Sequence, residues 1–288
     1  MFTKIIYYLI ILPISILPYW MLYLLSNFLY LILYKISKYR TVIVMNNLRN
    51  SFPDKNDKEL KKIMSNYYRH LCDLIVESLK GFTISEKQIK KRITIINPEL
   101  CNNYYNKKQS LILVGGHINN WEACAQGLPF IIPHENFGIY KPLSNKFFDN
   151  KMITTRGKFG TRLLSMKQTK KLFIEKVDKP RTISFISDQS PSNPKKAYWL
   201  NFLNQETGVL FGAEKYAKEY NLPVIYVSIY KIKRGFYSVK CNLITDKPKE
   251  ETYGAITQRY TKQIENDIIA KPEYWLWSHK RWKHNKPE

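Results

Sequence analysis

Leu111-Ile112-Leu113-Val114-Gly115-Gly116-His117-Ile118-Asn119-Asn120-Trp121-Glu122 is the stretch on which the fold reading turns. Four consecutive apolar residues stopped by two glycines read as a buried strand that ends abruptly. The segment after it, through Leu128, reads as a helix. Open α/β sheets place their chemistry in the loops at the carboxyl ends of strands, and His117 falls in such a loop. Glu122 falls in the first turns of the helix. Along one continuous helix, residues five apart point about 140° away from each other. With His117 ahead of the helix and Glu122 inside it, the two side chains are expected to meet. A carboxylate that fixes the imidazole tautomer leaves the other ring nitrogen as a general base. Taken alone, the plainer reading is a loop histidine with an ordinary hydrogen bond.

Thr94 to Ile96 reads as a short strand and Thr182 to Ile186 as another, ending in Ser187-Asp188-Gln189. Pro223 to Tyr230 and Phe236 to Ile244 read as a hairpin turning at Arg234-Gly235. Tyr39 to Phe82 reads as helical, with a turn at Pro53-Asp54. Leu60, Ile63, Met64, Tyr67, Leu71, Leu74, Ile75 and Leu79 recur at three- and four-residue steps there. Thr252 to Ala270 reads as the last helix. Strands alternating with helices predict an α/β fold whose sheet, because of the hairpin, is mixed and flanked by helices.

From Ile5 to Tyr34 no side chain is charged. A bilayer span needs about 20 apolar residues, and no small-residue cleavage site marks a secretory signal. Pro13 and Pro18 interrupt the run. They predict either a kinked span or an interfacial approach followed by a span from about Tyr19. Lys35, Lys38 and Arg40 follow it, against Lys4 alone before it, which places the bulk of the chain in the cytoplasm. The expected division is a membrane anchor over residues 1–38, transmembrane or interfacial, and a catalytic domain over 39–288.

The chain of 288 residues carries a formal charge of +23. A charge of that size favours an anionic partner: nucleic acid, an anionic membrane surface or an acidic carrier protein. A genome-wide preference for Lys explains part of it. The four cysteines are scattered, without Cys-x-x-Cys or zinc-ligand spacing. Cys72 and Cys124 read as buried small hydrophobes. Gly-x-Gly-x-x-Gly follows no strand, so a nicotinamide cofactor is not expected. Helix-turn-helix, zinc and aromatic RNA-binding signatures are missing, which argues against a nucleic-acid partner.

Further blocks carry polar residues in ordered company: Tyr140-Lys141-Pro142-Leu143-Ser144-Asn145, then Arg156-Gly157, then Ser187-Asp188-Gln189-Ser190-Pro191, then Thr207-Gly208. The chain closes on Trp275-Leu276-Trp277-Ser278-His279-Lys280-Arg281-Trp282. With the histidine, four residues, acid motif, these blocks resemble the lysophospholipid acyltransferase superfamily. Within it the match is to the bacterial late acyltransferases of lipid A biosynthesis, over nearly the whole chain. Some relatives have Asp at the place of Glu122. The Phe-Pro-Glu-Gly-Thr block of many glycerophospholipid acyltransferases is missing, which argues against lysophosphatidic acid as acceptor.

The resemblance implies a bacterial inner-membrane enzyme facing the cytoplasm. It would transfer a fatty acyl chain from a thioester, on acyl carrier protein or else coenzyme A, to a hydroxyl of a lipid A precursor. No cofactor or metal is implied. His117 would be the general base and Glu122 its orienting acid, with backbone amides after Gly115-Gly116 meeting the oxyanion. Arg156 would contact a phosphate or carboxylate, its plainer role being a surface ion pair. Asp188 would orient the oxyanion site or an arginine, its plainer role being a helix cap. Lys141 and Asn145 would contact the head group. Trp275, Trp277 and Trp282 would form an interfacial belt or, more plainly, a packed cap. Two other readings remain: an amino-acid lipid or glycolipid as acceptor, and a basic membrane-associated binding protein without catalysis.

Overall fold

The structure is a computed structural model that describes residues 2–175 and 178–287. Nine strands form among the described residues: β1 (Ile93–Ile95), β2 (Leu111–Gly115), β3 (Glu135–Tyr140), β4 (Arg162–Ser165), β5 (Arg181–Ile186), β6 (Tyr198–Phe202), β7 (Gln205–Val209), β8 (Val224–Lys233) and β9 (Phe236–Thr245). Seven make one sheet in the order β1-β9-β8-β2-β5-β3-β4. Strands β8, β2, β5, β3 and β4 run parallel to one another, while β9 runs antiparallel to β8 and parallel to β1. The mixed sheet expected from the hairpin is therefore present. Strands β6 and β7 pair separately.

The sheet has helices on both faces, and β2 explains why its sequence is apolar throughout. Successive side chains of a strand point to opposite faces. Ile112 and Val114 enter one core with Leu48, Leu60 and Tyr67 and with Ile256, Tyr260 and Ile264 of the helix Ala255–Ala270. Leu111 and Leu113 enter the other with Ile89, Cys101, Cys124 and Leu128. A strand covered on both faces reads as a continuous apolar run. All four cysteines are reduced and buried.

The helical stretch after Tyr39 divides at Pro53, into Thr41–Ser51 and Asp57–Gly81. The second starts on a capping box: the Asn56 side chain accepts from the Lys58 and Glu59 amides, and Glu59 returns a bond to the Asn56 amide. Such a cap contributes about 0.5–2 kcal/mol.

The N-terminal apolar run is two helices, Phe2–Ile16 and Tyr19–Ile36, the second long and apolar enough to cross a membrane by length and composition. They part at Leu17, which is extended because Pro18 follows it. Lys80 closes the first by donating to the carbonyls of Ser15, Ile16 and Leu17 at 3.0, 3.2 and 3.0 Å. The second helix packs on Asp57–Gly81.

Candidate active site

Strands β2 and β5 are adjacent and parallel, with Gly115 opposite Ile186. Both chains leave the sheet at the same edge. Two residues beyond each strand end stand His117 and Asp188, so the register places them opposite one another. His117 Nδ1 lies 2.6 Å from Asp188 Oδ1, and the His117 amide donates to Oδ2 at 2.7 Å. The Trp275 indole N–H donates to that same Oδ2 at 2.7 Å. Gly116 makes the approach possible: a Cβ there would stand 3.2 Å from Asp188 Oδ2.

Asp188 is buried, and burial alone would raise its pKa. The His117 charge and hydrogen bonds, with the Trp275 bond, outweigh burial and hold it at about 2. Asp188 is therefore a carboxylate throughout the physiological range and accepts the Nδ1 proton of His117. That assignment leaves the Nε2 lone pair able to accept a proton. The Gln189 amide nitrogen donates toward it at 3.2 Å.

The expected contact between His117 and Glu122 is not the one formed. Asn119 takes a left-handed conformation, φ 54°, between the strand end and the helix. Asn120 then caps the helix Trp121–Ile131 by accepting from the Ala123 amide at 2.8 Å. Trp121 packs edge-on against the His117 ring, centroids 4.9 Å apart. Glu122 binds the Arg156 guanidinium through two parallel bonds, Nε to Oε2 at 2.7 Å and Nη2 to Oε1 at 2.5 Å. A bidentate guanidinium is a stronger partner for a carboxylate than one neutral imidazole N–H. Burial works against the Arg156 charge, but the bonds and charge of Glu122 prevail and raise its pKa above the ordinary value. Arg156 closes the helix Lys146–Arg156, so its ion pair joins two helices and is no surface pair.

Asp188 caps no helix. Lys141, in the loop after β3, lies at the same sheet edge as His117, exposed, and donates to Ser192 Oγ at 3.2 Å. Asn145 is the cap of the helix Lys146–Arg156: it accepts from the Phe148 amide at 3.1 Å, and its amide nitrogen is 3.3 Å from Thr3 Oγ1. Of the amides after Gly115-Gly116, those of His117, Asn119 and Ala123 are bound to Asp188, Tyr274 and Asn120.

The tryptophan block forms no interfacial belt. Trp275 and Trp277 are 2% and 0% exposed. Trp282 donates its indole N–H to Thr207 Oγ1 at 2.7 Å. The block is a floor under the site. Trp275 holds Asp188, and His279 Nε2 accepts from the Ser190 amide at 3.0 Å. Burial lowers the His279 pKa to about 4, which keeps that nitrogen an acceptor. Arg281 is buried, lines the small cavity beside Ser187 and Asp188, and donates to the Gly208 carbonyl at 2.8 Å. Among the described residues, no group of His, Cys, Asp and Glu is arranged to hold a metal ion.

Sequence reasoning overlooked Gln189, Trp275 as a partner of Asp188, and Asn120. Asn120 donates to Glu77 at 2.6 Å, and Glu77 also accepts from Tyr237 at 2.8 Å and Tyr23 at 3.0 Å. Burial raises the Glu77 pKa. Glutamate on the apolar face of a long helix was the available signal.

The sequence model of the bacterial lipid A biosynthesis acyltransferase family matches residues 1–284. The chain belongs to that family. It is 24% identical over 253 residues to a lipid A biosynthesis acyltransferase of Haemophilus influenzae, covering 86% of this chain and 79% of the relative. It is 22% identical to the lipid A biosynthesis lauroyltransferase of Escherichia coli, covering 94% and 88%. Identity to the lipid A biosynthesis palmitoleoyltransferase of the same species is 20%, over 85% and 79%. The family makes the chain an acyltransferase of the late lipid A branch, acting on a lipid acceptor with an acyl donor.

Proposed function

We propose that this acyltransferase moves a fatty acyl chain from a thioester on acyl carrier protein to a hydroxyl of a lipid A precursor. In this reading it works at the cytoplasmic face of the inner membrane, with residues 1–38 seating the chain and 39–288 carrying the chemistry. The observation that supports it most is the His117–Asp188 pair at the carboxyl edge of the sheet. His117 Nε2 removes the proton from the acceptor hydroxyl as it displaces the Gln189 amide. Asp188 stabilises the imidazolium that forms. The alkoxide attacks the thioester carbonyl. The amides of Trp121 and Glu122, in the first helical turn and uncommitted to the loop, face the oxyanion. The tetrahedral intermediate then collapses, expels the carrier's thiolate, and the imidazolium returns its proton to that sulfur.

Glu122 takes a different part from the one expected of it. It aims Arg156, whose Nη1 it does not engage, at an anionic group of the acceptor. Lys141 adds charge for the same head group. The net charge of +23 suits an acidic carrier. The test is purified protein with acyl carrier protein thioester and a lipid A precursor, followed by mass spectrometry. One added acyl mass per acceptor is expected, with a rate that falls as salt rises. Equal rates from the coenzyme A thioester, or no acylated lipid, contradict the proposal.

A further inference from the structure

The N-terminal helices present a face that the catalytic chemistry does not use. On Tyr19–Ile36, Trp20, Leu24, Phe28 and Leu31 form a stripe at helical spacing, exposed at 65%, 61%, 59% and 50%. On Phe2–Ile16, Phe2, Leu9 and Ile16 are exposed to a similar degree. Apolar stripes of this length are surfaces for a partner.

The opposite face of Tyr19–Ile36 decides how that partner is met. It is docked along its whole length, and beside the buried Leu22 it carries a row of polar side chains. Arg92 lies over the Tyr19 ring, 3.2 Å from its centroid. Tyr23 donates to Glu77 at 3.0 Å, and Ser26 donates to Asp73 at 2.7 Å. Asn27 accepts from Arg234 at 3.0 Å. Tyr30 bonds Ser65 at 2.9 Å under Arg69, and Tyr34 stacks on Tyr68. From Tyr19 to Tyr34 the helix rises about 22 Å, most of the roughly 30 Å of a hydrocarbon core. Were it to cross, Arg92, Glu77, Asp73, Arg234 and Arg69 would be strung through the bilayer beside it. Charges at that depth are strongly disfavoured.

We propose that the chain does not cross the bilayer: both N-terminal helices lie in the plane of one leaflet, the Trp20-Leu24-Phe28-Leu31 stripe inserted among lipids and the polar face held by the catalytic body. The occupant is an anionic lipid surface. Lys35, Lys38 and Arg40 follow the stripe, and Trp20, Tyr8 and Tyr39 are exposed aromatic anchors of the interfacial type. The seat adjoins the site. Tyr7 of the first helix packs edge-on against Phe147, centroids 5.5 Å apart, on the helix that ends in Arg156. A lipid acceptor then reaches His117 sideways from the leaflet. The inference rests on the membrane part of the proposed function and on none of its chemistry.

Sided labelling of full-length protein tests it, because the four native cysteines are buried. Lys4→Cys, Ile16→Cys and Lys38→Cys are made singly and exposed to an impermeant maleimide in spheroplasts and in inverted vesicles. Lys4→Cys and Lys38→Cys should label from the same side, and Ile16→Cys should not label from the other. Labelling of Lys4→Cys and Lys38→Cys from opposite sides overturns the inference, as does labelling of Ile16→Cys from the side opposite both. If Lys4→Cys and Lys38→Cys both label only in spheroplasts, the in-plane seat stands and the cytoplasmic reading fails. In a second arm, Trp20, Leu24, Phe28 and Leu31 are all changed to Ser. Flotation with phosphatidylglycerol vesicles should fall at least tenfold, with the circular dichroism of the folded protein retained. Undiminished flotation overturns the role of the stripe. Undiminished flotation with a dimer turned monomer would assign the stripe to contact between copies.

Discussion

Two acid pairs flank Trp121, and they are held by different means. His117 and Asp188 sit on loops whose separation is set by the hydrogen-bonded register of β2 and β5, with the carboxylate buried and bonded on both oxygens. Glu122 and Arg156 sit on two helices, and their side chains keep 19% and 24% exposure. The first pair is fixed by backbone register and leaves one imidazole nitrogen outside its carboxylate contact. The second is a charge-matched clamp that leaves one guanidinium nitrogen outside the pair. Sheet edges fix reacting groups more tightly than helix surfaces, because backbone bonds on both strands oppose any slip.

The largest break in that comparison is His117→Ala. Turnover should fall about 10²–10⁴-fold, as for loss of a general base. Acceptor binding, read by the change in KM, should hardly move.

The clamp is broken and remade by exchange. Glu122→Arg or Arg156→Glu alone leaves like charges facing each other in a partly buried site. Each should destabilise by on the order of 1–3 kcal/mol, discounted for solvent access, and should raise KM for the acceptor. The double exchange should recover much of the stability in urea titrations. Acceptor affinity should stay low, since Nη1 no longer faces the anion.

Gly116→Ala sharpens the first pair. The added methyl meets Asp188 Oδ2 at 3.2 Å, and that carboxylate is pinned by Trp275 and the His117 amide. A loss of about 1 kcal/mol is expected, with a several-fold drop in kcat. Unchanged kcat would show that the pair tolerates displacement.

The smallest effect concerns the floor beneath it. His279 is held neutral in the fold at about 4, against 6.5 for the free imidazole. The unfolded chain then binds more protons between those values, so stability falls as pH drops from about 6.5 to about 4. His279→Gln keeps an acceptor for the Ser190 amide but cannot titrate. Over that window its Tm should fall less than the native protein's, by on the order of a few °C.

The fold's centre was legible because β2 is an apolar run, and β5 and the β8–β9 hairpin are rich in β-branched and aromatic residues, all closed by turn residues. Strand β3, Glu135–Tyr140, carries polar residues and a glycine. The β6–β7 hairpin turns on Leu203-Asn204, both at positive φ, where Asn-Gly is the usual signal. Those strands could not be read from local pattern. His117 and Asp188 were both recognisable as strand-end residues. Their pairing was not, because which strands neighbour each other is decided by packing across 71 residues of chain. The nearer acid drew the reading instead. Trp275 and Trp277 were ambiguous for a related reason: tryptophan serves membrane interfaces and buried hydrogen-bonded cores alike. Only the positions of Asp188 and Pro272 decide for the core.

The central claim is that Asp188, rather than Glu122, is the acid that serves His117. Steady-state kinetics of Asp188→Asn and Glu122→Gln, measured side by side, test it most directly. Asp188→Asn should lower kcat by about 10²-fold or more with KM nearly constant. Glu122→Gln should act mainly on KM for the acceptor. A collapse of kcat in Glu122→Gln, with Asp188→Asn turning over at the native rate, would contradict the account.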